Sequence, residues 1–132
     1  MSMIIILKKD KILLYKGNIM EKANIYENLV YSDEKVQITP MMNNDVSKEI
    51  RIVFKENQLM KDHKTSFPIS VEIVDGEIDF GIGEKVYNLI KGDIVSLEAS
   101  VVHNLLAKQD SIVRLTLSKQ DTVARVKGVL KL

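Results

Sequence analysis

Gly, Asn, Asp and Pro break this chain into short apolar runs roughly every 8 to 15 residues, and almost no run shows helical spacing. Such punctuation predicts an all-β sandwich or barrel, because each run is long enough for a strand and too short for a helix. Ile50 to Phe54 reads as a strand, with Val36 to Ile38 before it ending at Pro40, as suits an edge strand or its exit. Val71 to Val74 runs into Asp75-Gly76, read as a hairpin signal, and Ile78 to Phe80 returns. Gly81 and Gly83 mark the next turn, Val86 to Ile90 a strand, and Lys91-Gly92-Asp93 another turn. Ile94 to Leu97, Val101 to Ala107 and Ile112 to Leu117 complete the series.

The flanks are less regular. Ile4 to Leu7 and Ile12 to Tyr15 bracket the charged turn Lys8 to Lys11, which predicts an extra N-terminal β-hairpin over residues 1–19. Glu21 to Ala23 allow a short helical turn. Val123, Val126, Val129 and Leu130 fit a closing helix and a final strand equally. No linker or repeat appears in the 132 residues, so one domain is expected over 1–132: barrel core 24–118, hairpin 1–19, tail 119–132.

Composition removes several function classes. The chain has no cysteine, which excludes a disulfide framework, a thiolate nucleophile and a zinc finger, and fits a reducing compartment. The 19 basic and 18 acidic residues are interspersed, and tryptophan is missing, so neither a phosphate-binding field nor a base-stacking platform is expected. Met3 to Leu7 has its lysines after the apolar run and no cleavage pattern, unlike a secretory signal. It is also far shorter than the about 20 residues that span a bilayer. The reading is a cytoplasmic protein with no nucleic-acid or membrane partner. Gly81-x-Gly83 lacks the following helix of a phosphate cradle. Ser66 or Ser100 with His103 lacks the nucleophile-elbow sequence of a triad.

The residues that carry most meaning lie between 57 and 107. Asn57, His63, Thr65, Ile69 and Gly76 fall at the spacing Gly, five residues, His-x-His, three residues, Glu, six residues, Gly. Gly92, Glu98, Ser100, His103 and Ala107 fall at the spacing Gly, five residues, Pro-x-Gly, two residues, His, three residues, Asn. This frame resembles the two motifs of the cupin superfamily, and segments such as His63 to Pro68 look like those of small stand-alone conserved-barrel cupins. The likeness implies a double-stranded β-helix, or jelly-roll barrel, with a single hairpin between the motifs from Glu77 to Lys91. Asn57 replaces a turn glycine at little cost, since Asn visits positive φ readily. The only two histidines in the chain both fall on ligand positions, forty places apart.

In that family three His and a Glu hold a divalent metal, so the resemblance implies zinc, iron, nickel or manganese at His63 and His103. Thr65 and Ile69 stand where the other ligands belong, and alternation from His63 turns Asp62 away, so the ligand set is incomplete. The preferred expectation is a small-molecule pocket with His63, Thr65, Ser66 and His103 as its polar end, since barrel mouths commonly hold such sites. Ile69, Val71, Leu105 and Leu115 would form its wall, with Phe67 as a lid beside Pro68; each apolar residue taken alone reads equally as core. A metal-dependent isomerase, dioxygenase or decarboxylase is the alternative, with no catalytic residue identified. A structural homodimer with a filled cavity is the third reading. A homodimer is expected in any case, because open sheet edges need cover and the hairpin of residues 1–19 is a candidate for it.

Overall fold

The computed structural model describes residues 20–119; the expected hairpin over 1–19 and most of the tail lie outside them. Among the described residues there is no helix, and none long and apolar enough to cross a membrane. Nine strands follow in order: β1 (Gln37–Asn43), β2 (Ser47–Phe54), β3 (Leu59–His63), β4 (Ile69–Asp75), β5 (Glu77–Ile82), β6 (Lys85–Ile90), β7 (Ile94–Leu97), β8 (His103–Ala107) and β9 (Ser111–Ser118). They form two antiparallel sheets: a five-stranded sheet ordered β1-β2-β9-β4-β7, and a four-stranded sheet ordered β3-β8-β5-β6.

Alternation along the strands decides what lies between the sheets. Ile50, Ile52 and Phe54 of β2, Ile69, Val71 and Ile73 of β4, and Val113 of β9 point inward from one sheet. Ile78 and Phe80 of β5, Leu89 of β6, and Leu105 and Ala107 of β8 meet them from the other. This is the jelly-roll arrangement, two sheets closed over one apolar layer.

Several local expectations need correction. Asp75-Gly76 does not close a hairpin, because β4 belongs to one sheet and β5 to the other. It is a corner. Gly76 has φ +92°, and a Cβ there would collide with Ser111 Oγ and the Asp110 carbonyl. The Glu77 amide donates to that same Ser111 Oγ, which pins the crossing strand (3.0 Å). Lys91 to Asp93 likewise carries the chain between sheets, from β6 to β7. The hairpin turn between the motifs holds Gly83 at φ +61°, whereas Gly81 lies within β5, where its Cβ would meet the Asn104 side chain. Strand β1 does not end at Pro40 but continues to Asn43 with a register shift between Pro40 and Met42; an edge strand tolerates the missing donor.

The helical turn that residues 21–23 would allow does not form. The chain instead makes an Asx turn, the Tyr26 amide donating to Asn24 Oδ1 (2.9 Å). It lies near Arg51, which is buried at 4% exposure and donates from Nη1 to the carbonyls of Ile25 (3.0 Å) and Glu27 (2.7 Å). Arg51 Nε has no partner among the described residues. A cation held by turn carbonyls fastens the 24–28 segment to β2.

Candidate functional site

His63 ends β3, a strand that alternation in the sequence did not reveal, because Lys61 and Asp62 are both exposed. A bulge explains this. Met60 faces Leu105 and His63 faces His103, so the two residues Lys61 and Asp62 stand against the single residue Asn104. Without the extra residue, Asp62 would face His103 and His63 would turn outward. The bulge therefore places both imidazoles on the inner face, while Asp62 stays outside and accepts from Asn104 Nδ2 (2.7 Å).

The two rings lie with centroids 4.3 Å apart, tilted at 59°. On His103 a third ring packs: Phe80 of β5 is parallel to it within 4°, centroids 5.5 Å apart. Each histidine is tied to its own chain two residues back. His63 Nδ1 is 2.7 Å from the Lys61 carbonyl, and His103 Nδ1 is 2.9 Å from the Val101 carbonyl. A carbonyl only accepts, so in both rings Nδ1 carries the proton. The neutral form then has its lone pair on Nε2, and no described residue bonds either Nε2. Burial pushes the His103 pKa below its ordinary value. The Val101 carbonyl opposes this, His63 adds to it, and Asp62 opposes it more weakly. His103 is thus a neutral imidazole at pH 7.

Two neighbouring imidazoles, each pinned through Nδ1, are half of a metal site. The other half is missing. No group of three His, Asp or Glu side chains among the described residues is placed to share an ion. The Thr65 hydroxyl donates to the Phe67 carbonyl (2.9 Å). Ile69 is buried core, and Glu98 is exposed at a cleft mouth. The donor set does not fit the three-His, one-Glu centre that the resemblance implies.

The motif frame survives in the backbone. Its four glycine places are Asn57, Gly76, Gly92 and Ser100, and all have positive φ: 74°, 92°, 95° and 68°. Ser100 also donates its amide to the Thr65 carbonyl, and Asn57 donates its amide to the Ala107 carbonyl, each at 2.8 Å, joining the two motifs. Of the expected pocket residues, Ile69, Val71 and Leu105 lie in the core, Leu115 packs against it, Thr65 and Phe67 are half-buried, and Ser66 is exposed.

Open space occurs next to these, not among them. A cleft of about 320 Å³ lies between β6 and β7, lined by Phe80, Ile82, Tyr87, Leu89, Val95 and Val101 among others. Phe80 and Val101 both touch this cleft and both contact His103, by stacking and by hydrogen bond. Alternation in β5 puts Phe80 on the same face as Ile78 and Ile82, and this was legible. That β5 pairs with β8, bringing Phe80 opposite Leu105 and beside His103, was not.

No family model matches the chain, and no curated protein matches it. Solved structures do. An RmlC-like cupin protein from Desulfovibrio desulfuricans is 20% identical, with a TM-score of 0.70 over 75% of this chain and 96% of that one. A protein with a double-stranded beta-helix domain from Klebsiella pneumoniae is 16% identical, TM-score 0.68, over 75% and 90% of the two chains. KdgF from a Halomonas species is 15% identical, TM-score 0.65, over 80% and 99%. At these identities the likeness is one of fold: the architecture is that of the cupin double-stranded β-helix.

Proposed function

We propose that this cupin-fold chain binds a small organic molecule at the His103 end of its barrel, and does so without a metal ion. The observation that carries the reading is the pair of imidazoles, each with Nδ1–H spent on a backbone carbonyl and Nε2 left without a partner among the described residues, beside an apolar cleft. Arg51 Nε is the one buried side-chain polar atom without a partner among the described residues, so both Nε2 atoms are open to solvent, where a ligand or water can donate to them. Small-molecule sites combine an apolar wall with few fixed polar groups, and a cleft of about 320 Å³ is at the small end of their range.

A metal-dependent enzyme is the second reading, favoured by the same two oriented lone pairs. Metal content and non-denaturing mass spectra of freshly purified protein separate the two. The proposal expects far less than one metal ion per chain and an organic adduct, or binding of small apolar probes, that is weakened in His103→Leu. Near-stoichiometric metal that is lost in both His63→Ala and His103→Ala would overturn it.

A further inference from the structure

The cleft has a charge character that narrows its ligand. It opens between two strand edges, β6 of one sheet and β7 of the other, and most of its wall is aliphatic. Among the described residues Glu98 is the only carboxylate lining it, and no Lys or Arg does so. Glu98 is exposed and has no ion-pair partner among the described residues. Tyr87, on β6 at the same cleft, leaves 47% of its surface to solvent. A free carboxylate and an accessible aromatic ring are the two groups that attract an organic ammonium, one by charge and one through the negative face of the ring. A carboxylate or phosphate ligand would find at this cleft, among the described residues, one like charge and no cation.

We infer that the cleft takes an organic amine: a protonated nitrogen held at Glu98 and Tyr87, with an apolar body between Leu89 of β6 and Val95 of β7. This rests on the ligand-binding reading above and adds the chemical class. His103 supports two residues of the cleft wall, Phe80 by stacking and Val101 by hydrogen bond.

The test uses three probes of nearly equal shape, 2-phenylethylamine, 2-phenylethanol and 3-phenylpropanoate. Each is titrated at low salt and pH 7.5 into the full chain, with the methyl resonances of Leu89, Val95, Leu97 and Val101 followed by NMR. A solvent-accessible ion pair contributes up to about 1 kcal/mol, so the amine should bind about three- to fivefold tighter than the alcohol, and the carboxylate weaker than either. Glu98→Gln should bring the amine to the affinity of the alcohol while leaving the alcohol unchanged, and added salt should do the same. Equal binding of amine and alcohol, or tighter binding of the carboxylate, overturns the amine assignment and leaves the ligand-binding reading standing. No methyl shift with any probe overturns both.

Discussion

Acidification should weaken this barrel through one side chain, His103. The ring is 3% exposed, stacked on Phe80 and 4.3 Å from a second imidazole, so a proton on it costs the folded state more than the unfolded chain. Its folded pKa lies below the ordinary value of 6.5. Between those two values the unfolded state binds more protons, so stability is fully present above pH 6.5 and is lost as pH falls towards the folded pKa. The slope in that window is at most about 1.4 kcal/mol per pH unit, which bounds the His103 share between pH 7.5 and 5.5 at about 1.4 kcal/mol. Urea unfolding at both pH values, for the native chain and His103→Leu, isolates it. The bond to the Val101 carbonyl belongs to the same difference, since it favours the protonated ring and offsets part of the cost of burial. The native chain should lose more stability on acidification than the variant. Equal losses, or a native chain that gains stability at pH 5.5, would refute the argument.

Three further outcomes test the frame that holds the site, each by urea unfolding. Gly76→Ala should cost about 3 kcal/mol, combining left-handed strain with overlap at Ser111 and Asp110, whereas Gly92→Ala, with nothing within 4 Å of the added carbon, should cost about 1 kcal/mol. Equal costs would remove the close approach from the explanation. Arg51→Ala should cost about 3 kcal/mol and expose residues 24–28 to proteolysis, because the Ile25 and Glu27 carbonyls lose their donor. A stable, protease-resistant variant would show that the turn does not depend on the guanidinium. Ser100→Gly should gain about 0.5 kcal/mol, relief of strain at φ +68° exceeding the added freedom of the unfolded chain, and Asn57→Gly should change little. A loss in Ser100→Gly would contradict it.

The strands from 69 to 117 were legible because their apolar faces alternate between turn residues, and the sheet class followed from that alone. Which strands share a sheet was not. Asp75-Gly76 has the composition of a hairpin, yet the chain uses the same conformational freedom to leave one sheet for the other, a choice made by Ser111 and Asp110 far along the sequence. The histidine pair was legible only through motif spacing, since a period of two across the Lys61-Asp62 bulge would have put His63 on the wrong face. The cleft beside the site was not legible for a related reason. Ile69, Val71 and Leu105 do point inward, but they meet each other in the core, while the opening lies where β6 and β7 fail to pair.

The site rests on two imidazoles, each bonded through Nδ1–H to a backbone carbonyl, whose Nε2 atoms have no partner among the described residues. Long-range proton–nitrogen NMR of the two histidine rings at pH 8 tests it most directly, because it reports which nitrogen carries the proton and whether the other is bound. The account predicts the Nδ1–H form in both rings of the purified protein, with Nε2 resonances that a chelator does not move. An Nε2–H form in either ring, or Nε2 resonances that shift when metal is stripped, would contradict it.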